Sequence, residues 1–352
     1  MNLPALLAEP ELIQLLIGKG LISRKDFVSK DVRLSLAERR NRNVKITIGG
    51  SSGLFTKQAK SNIAVATIFR ESTVLDLLSS TQDDLSHYLP RKLAYDAKLG
   101  LLISALIPNG RSLHDILMQQ RTLPHGHAQA AGRALACLHN RAVPGNLANI
   151  LQSDPPIQWN RPHYSVLRNI SPANVRLLLA VQNDAELSEG LDDLQSNWSR
   201  TSVIHGDAKL DNIVISPDGL ALVDWELSTT GEPGWDVGTV FAGLLFSWIA
   251  SMPMAQGTNH DLMAREASLP LSGIQNAAAQ FWGTYASAAG VDSKSEFLHN
   301  AIRFCGARLV QTAYEYMQYS SRLTANAIYL LQVAANLIKS PDRGVGLLLA
   351  HS

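Results

Sequence analysis

The chain has 352 residues, 46% of them hydrophobic and 17% charged; at ~150 residues per domain this gives about two domains with large cores, and excludes a chain that stays disordered. Thirty-one Lys and Arg against thirty Asp and Glu leave a net charge of +1, which argues against a nucleic-acid binder, whose affinity rests on many phosphate contacts. The two cysteines, Cys137 and Cys305, exclude a disulfide framework or a zinc ribbon, so a reducing, cytoplasmic setting is expected.

The N-terminal stretch, MNLPALLAEPELIQLLIGKG, lacks a cationic start and holds Glu9 and Glu11; it reads as an amphipathic helix rather than a signal peptide. Runs rich in β-branched residues then predict strands at Val32–Leu36, Val44–Ile48 and Leu54–Gln58. Turn-like segments at 39–43 and 49–53 separate them, as in a small antiparallel meander. The second turn, Gly49-Gly50-Ser51-Ser52-Gly53, matches the Gly-x-Ser-x-Gly elbow of hydrolases, but that elbow needs a helix after it and here a strand follows. A helix is expected from about Asn62 to Leu78, its apolar face made of Ile63, Ala66, Phe69, Val74, Leu77 and Leu78. Strand candidates Lys92–Tyr95 and Leu101–Leu106 close this β-rich part.

Past Pro108-Asn109-Gly110 the pattern turns helical, with helices expected at Leu113–Gln120, His127–His139, Asn174–Gln182 and Leu187–Trp198. A connection containing Pro144, Pro155, Pro156, Pro162 and Pro172 interrupts them. Three short strands follow, Ser202–Ile204, Asn212–Ile215 and Leu220–Val223, before the chain becomes helical to its end. The charge-free run Val237–Ala255 approaches the length of a membrane span. It carries Gly238, Gly243, Ser247, Ser251 and Pro253 and no flanking Lys/Arg cluster, so it reads as a buried helix and no membrane contact is expected. The fold class is α+β and bilobal: a small antiparallel-sheet N-lobe at 1–107 and a larger helical C-lobe at 108–352.

The chemistry-bearing residues gather in the segment VIHGDAKLDNIVISPDGLALVDWE. Asp207 and Asn212 bound a tight loop, and the turn Pro217-Asp218-Gly219 sends a second strand back to Asp224. A carboxylate with an amide oxygen is a hard-oxygen set suited to Mg²⁺ with phosphates. A further carboxylate off the metal can take a proton from an attacking hydroxyl. Phosphoryl transfer needs those parts. Chance alone produces His-Gly-Asp-x4-Asn on the order of once per 10⁵ to 10⁶ positions.

His205-Gly206-Asp207, then Asn212, then Asp224-Trp225-Glu226 resemble the signature of the aminoglycoside phosphotransferase and choline kinase family, which shares the protein-kinase fold. The resemblance covers nearly the whole chain. It implies that Asp207 is the catalytic base, that Asn212 and Asp224 are magnesium ligands, and that His205 is a scaffold of the loop. It also implies that Asp236, in the run Gly231-Glu232-Pro233-Gly234-Trp235-Asp236-Val237-Gly238, braces the loop through backbone hydrogen bonds; Glu232 stands where the family usually has Asp. Lys209 is similar to the phosphate-contacting lysine of serine/threonine protein kinases, which leaves a peptide substrate open beside a hydroxyl-bearing small molecule. No arginine precedes Asp207 and no long activation loop follows Asp224, so activity is expected to be constitutive.

A kinase-like site also needs a strand lysine for the nucleotide phosphates and a helix glutamate to orient it; Lys57 and Glu71 stand in that order. No Gly-x-Gly-x-x-Gly links the first strands, and Asn43 with the arginines of the turn, Arg39, Arg40 and Arg42, are candidates for nucleotide contacts. The same turn reads equally as a charged hairpin edge. Ser104 and Leu106, at the lobe junction, complete the candidate set for ATP or another nucleoside triphosphate. Residues 19–60 hold eleven Lys/Arg against three Asp/Glu, a basic patch hidden by the overall balance.

Two features bear on the acceptor. Asp184, Glu186, Glu189, Asp192 and Asp193 form either a site for a cationic substrate or a solvated helix face. Trp248, Phe281, Trp282, Tyr285, Tyr314, Tyr316 and Tyr319 line either an acceptor pocket or the core. The turn Arg-Arg-Asn-Arg-Asn, the run Trp-Asp-Val-Gly, and Ser247-Trp248 before Ser251-Met252-Pro253 are similar to kinase-like subunits of lanthipeptide-type peptide synthetases. That narrower likeness implies a precursor peptide as acceptor and a partner protein. A catalytically silent kinase fold acting as a binding partner is the remaining alternative, and it leaves the full set of Lys57, Glu71, Asp207, Asn212 and Asp224 without a purpose.

Overall fold

Three strands, β1 (Val32–Glu38), β2 (Arg42–Ile48) and β3 (Ser52–Gln58), follow one another through short turns, and β4 (Lys92–Asp96) and β5 (Leu101–Ala105) complete an antiparallel sheet ordered β1-β2-β3-β5-β4. The computed structural model describes residues 5–38, 40–50, 52–80, 84–143, 151, 154–168, 170–253, 260–292 and 294–349. Arg39, Ser51, Pro144 and Ala255, named above, lie outside them. Alternation along the strands sorts the sheet into two faces. On one, Val44, Ile46, Leu54, Leu101 and Ile103 pack with Leu12 and Leu16 of the helix Glu9–Gly18. The other carries Lys57, with Asn43 on β2 and Leu102 on β5 as its register partners.

The helix Asn62–Ser79 opens on Ser61, whose Oγ accepts the Ala64 N–H at 3.1 Å. Its inner face differs from the expected one. Ile63 and Phe69 are 70% and 53% exposed, while Ala64, Ile68, Glu71, Ser72, Val74, Leu75 and Leu78 are buried. The inward stripe is centred on a glutamate, so a search for apolar residues alone rotates the face.

Contacts divide the chain into two units, Met1–Arg111 with Val214–Ser228, and Ser112–Ile213 with Thr229–Ser352. The expected division at 107/108 left the hairpin bearing Asp224 in the helical part. It groups instead with the sheet unit, where the strand Gly219–Leu222 packs on the turn Asp84–Tyr88 and the turn Trp225–Leu227 packs on the helix Asn62–Ser79.

The second unit is built around the helix Pro233–Ala250, nearly all of it buried, with proline in its first turn where the missing N–H costs nothing. Against it pack the helices Leu271–Ala289 and Glu296–Tyr316, Phe241 meeting Phe281 edge-on at 5.6 Å. No helix among the described residues is long and apolar enough to cross a membrane. The strands Ser202–Ile204 and Thr229–Gly231 pair antiparallel at the entry to that helix. Trp248, Phe281, Trp282 and Tyr285 are core residues, whereas Tyr316 and Tyr319 lie exposed. The acidic stretch is largely paired: Asp184 with Lys339 at 2.9 Å, Asp192 with Arg161 at 2.7 Å and Asp193 with Arg303 at 2.6 Å. Neither Cys137 nor Cys305 is disulfide-bonded.

Candidate active site

In the sheet unit one ammonium sits among three carboxylates. Lys57 Nζ lies 2.7 Å from Glu71 Oε2, bonds Asp224 Oδ1, and stands 3.7 Å from Glu226 Oε2. Lys57 is 6% and Glu71 4% exposed. Burial pulls the lysine down, and the three carboxylates outweigh it and hold its pKa above the ordinary value. Burial pushes the Glu71 carboxyl up to about 7, with Lys57 pulling the other way and Asp224 and Glu226 adding to the rise. The second Glu71 oxygen accepts the Trp225 N–H at 3.3 Å. Asp224 takes a left-handed backbone, φ 68° and ψ 60°, which a short polar side chain tolerates better than most. Glu226 also holds the first hairpin turn, accepting from Asn41 Nδ2 at 3.0 Å and lying 3.6 Å from Arg40.

The carboxylates of Glu71, Asp224 and Glu226 come within 4.8 Å of one another. That is metal-ligand spacing, yet Lys57 already stands among them, and the trio serves as a cage for a side-chain cation.

The second unit holds the His205–Asn212 loop. Gly206 supplies a positive φ of 79° that lets the chain turn sharply. Asp236, on the buried helix, accepts the N–H groups of His205 at 2.6 Å and Gly206 at 2.9 Å. Trp235 Nε1 donates to the Gly206 carbonyl at 3.0 Å. Asp236 also faces His139 Nε2 at 3.1 Å, and His139 Nδ1 lies 2.9 Å from the Tyr285 hydroxyl. A carboxylate only accepts, so Nε2 carries a proton and donates to Asp236. The expected bracing of the loop by Asp236 is present in full; His139 and Tyr285 extend it beyond what the motif indicated.

Asp207 is held at both carboxylate oxygens. Oδ2 lies 2.8 Å from Lys209 Nζ and accepts from Asn212 Nδ2 at 3.1 Å. Oδ1 lies 3.3 Å from Arg308 Nη2. Asn212 Nδ2 also donates to the Asp207 carbonyl at 2.9 Å, which keeps the Asn212 Oδ1, a hard oxygen donor, out of those bonds. His205 is fully buried, its Nδ1 accepting the Asp207 N–H at 3.3 Å.

The remaining sequence candidates divide. Asn43 lies opposite Lys57, and its Oδ1 is buried with no hydrogen-bond partner among the described residues. Ser104 Oγ donates to the Phe55 carbonyl at 3.4 Å, and the Leu106 N–H is committed to Gly53 at 3.0 Å. Arg42, expected among the nucleotide contacts, is a correction. One residue before Asn43, it falls on the opposite face of the sheet, where its guanidinium bonds the Leu7 carbonyl beside Gln58, which accepts the Leu7 N–H at 3.1 Å. It fastens the N-terminal segment. Arg308 and Glu226 are partners the motif reading did not assign; Arg308 lies 101 residues from Asp207 and no local signal points to it.

The same architecture occurs in the choline kinase LicA from Streptococcus pneumoniae, which superposes with a TM-score of 0.55 at 16% identity over 94% of this chain and 99% of that one. The fold is therefore kinase-like, with an antiparallel-sheet lobe and a helical lobe. The chain belongs to the phosphotransferase enzyme family, whose sequence profile matches residues 32–268. Acyl-CoA dehydrogenase family member 10 from Mus musculus is 41% identical over 61 residues, 16% of this chain and 6% of that protein. The methylthioribose kinase of Citrobacter koseri is 27% identical over 168 residues, 44% of this chain and 42% of that protein. The matched stretch thus spans under a tenth of the first relative and under half of the second.

Proposed function

We propose that the chain moves the γ-phosphate of ATP, or of another nucleoside triphosphate, to a hydroxyl group of a small molecule, with magnesium as the metal. The observation that carries the reading is the loop at Asp207, whose carboxylate is gripped at both oxygens while Asp236 fixes the backbone behind it. Asp207 orients the acceptor hydroxyl and takes its proton. Lys57, aimed by Glu71, holds the α- and β-phosphates, and the buried, unpartnered Oδ1 of Asn43 is an acceptor suited to a nucleotide donor. Asn212 and Asp224 offer the amide and carboxylate oxygens that magnesium prefers. Magnesium, when bound, neutralises phosphate charge as the phosphoryl group transfers. Positioning and fixed charges supply most of the rate.

The acceptor class is drawn from the relatives: choline kinase and methylthioribose kinase each carry a hydroxyl-bearing small molecule in their names. A precursor peptide delivered by a partner protein is the second acceptor reading. It is favoured by Lys209 standing 2.8 Å from the base, as a protein-kinase lysine does by resemblance. Two cysteines that form no disulfide fit a cytoplasmic setting.

A thermal-shift titration with ATP and Mg²⁺ tests the reading first, because a ligand that binds only the folded state raises the melting temperature. ADP release is then followed with choline, methylthioribose and streptomycin as acceptors. Asp207→Asn is expected to keep the nucleotide shift and abolish ADP release. Absence of any shift at millimolar ATP favours the silent binding partner, and undiminished release by Asp207→Asn removes the base assignment.

A further inference from the structure

Arg308 sits in the helix Glu296–Tyr316 among Phe304, Cys305, Ala307, Leu309 and Val310, and is 4% exposed. A guanidinium in such a place costs free energy that an apolar side chain of similar volume avoids, so stability alone gives no reason for it. Its hydrogen bonds supply one. Nη2 reaches Asp207 Oδ1 at 3.3 Å, while Nη1 and Nη2 face Glu315 Oε1 and Oε2 at 3.2 and 3.5 Å. Glu315 is itself held by Gln311 Nε2, which donates at 2.8 Å. Gln311, Glu315 and Arg308 thus form a chain along one helix that ends on the carboxylate of the loop.

The two ends of that carboxylate are treated differently. Oδ2 receives Lys209 and Asn212, both from the loop itself and able to move with it. Oδ1 receives a donor from a separate element, anchored by packing and by Glu315 at its far side. A carboxylate gripped only at Oδ2 is free to swing about its Cβ–Cγ bond; the second grip, from outside the loop, fixes its plane. The single contact of 3.3 Å also leaves one Oδ1 lone pair for an incoming hydroxyl.

We propose that Arg308 is a positioning residue of the phosphoryl transfer: it fixes the plane of the Asp207 carboxylate from the helix Glu296–Tyr316, with Glu315 as the counter-carboxylate that aims it. This rests on Asp207 being the base. Misplacement of a reacting group by about 1 Å costs up to roughly 100-fold in rate, and that is the loss in kcat expected for Arg308→Leu in the ADP-release assay. The KM for ATP is expected to stay within about twofold, since positioning is lost and nucleotide binding is not. Arg308→Lys, which keeps one donor, recovers part of the loss. Glu315→Gln, at a half-exposed position that tolerates change, gives a smaller fall in kcat with the ATP KM again unmoved.

The decisive measurements are the ADP release of the single Arg308 variants and a double-mutant cycle of Arg308→Leu with Asp207→Asn read as melting temperature. Arg308→Leu is expected to slow ADP release, and the two substitutions are expected to be non-additive in melting temperature. Wild-type kcat in both Arg308 variants overturns the proposal. If the unaltered protein releases no ADP, the proposed function falls. The melting cycle then still reads the pair, and additive shifts there overturn the contact itself.

Discussion

Lys57 concentrates more charge around one atom than any other side chain described here. With 8% of its side chain exposed and three carboxylates about it, it is both a ligand-type residue and the group that makes Glu71, Asp224 and Glu226 tolerable together. Breaking a buried ion pair from one side leaves an uncompensated charge, which costs about 3–5 kcal/mol. Lys57→Met is therefore expected to lower the unfolding free energy measured in urea by an amount in that range and to remove the ATP-induced thermal shift. The double variant Lys57→Met/Glu71→Leu is expected to regain part of the stability and none of the shift. Equal stability of Lys57→Met and the unaltered protein in urea overturns the cage. Lys57 and Glu71 were legible in the sequence because a strand lysine and a helix glutamate fourteen residues on are a short-range pattern. The contacts of Glu226 with Asn41 and of Arg308 with Asp207 were not, since they span 185 and 101 residues, where only packing decides who meets.

At the scale of elements, the loop of Asp207 is seated on the buried helix as well as hydrogen-bonded to it. A Cβ at Gly243 would stand 2.8 Å from Leu210 Cγ, and Leu210 lies between Lys209 and Asn212. Gly243→Val is expected to push Leu210 aside, to destabilise by about 1–3 kcal/mol through overpacking, and to reduce ADP release more than melting temperature explains. Unchanged release refutes that seating. The acidic helix Ala185–Ser196 offers a contrast of purely structural kind. Asp184 caps it, accepting the Leu187 N–H at 3.1 Å, and pairs with Lys339. Burial raises the Asp184 carboxyl, but the Lys339 hydrogen bond and the Leu187 N–H outweigh it and hold the pKa below its ordinary value. A carboxyl depressed by folding stabilises above its unfolded pKa and loses that contribution as pH falls through the folded one. Asp184→Ala is expected to cost about 1 kcal/mol at pH 7, and the difference from the unaltered protein should shrink in acid urea titrations. Helix and strand positions were legible from periodicity. The inward face of Asn62–Ser79 was not, because periodicity weighted by apolarity misses a face organised around Glu71.

The whole molecule resolves the two domains suggested by chain length into units that do not follow the chain. The sheet unit takes Met1–Arg111 and then Val214–Ser228, so the polypeptide passes between units at 111/112, 213/214 and 228/229. A break read along a sequence falls at one point, and a segment that returns to an earlier unit leaves no mark in composition or hydropathy. This division has a measurable consequence. Residues 1–111 contain the apolar sheet face and the helix Glu9–Gly18 that covers it, but they lack three supports of the other face. Glu71 loses the Trp225 N–H, Lys57 loses Asp224 and Glu226, and the helix Asn62–Ser79 loses the turn it packs on. A buried carboxylate without its donor costs about 1–3 kcal/mol, a large share of what a domain of that size has in hand. The fragment 1–111 is therefore expected to give a poorly dispersed amide spectrum and no cooperative melting. Joining 214–228 to it through a flexible linker is expected to restore dispersion. A fragment 1–111 that melts as sharply as the linked form shows that the hairpin is a passenger in the unit and not a part of its core.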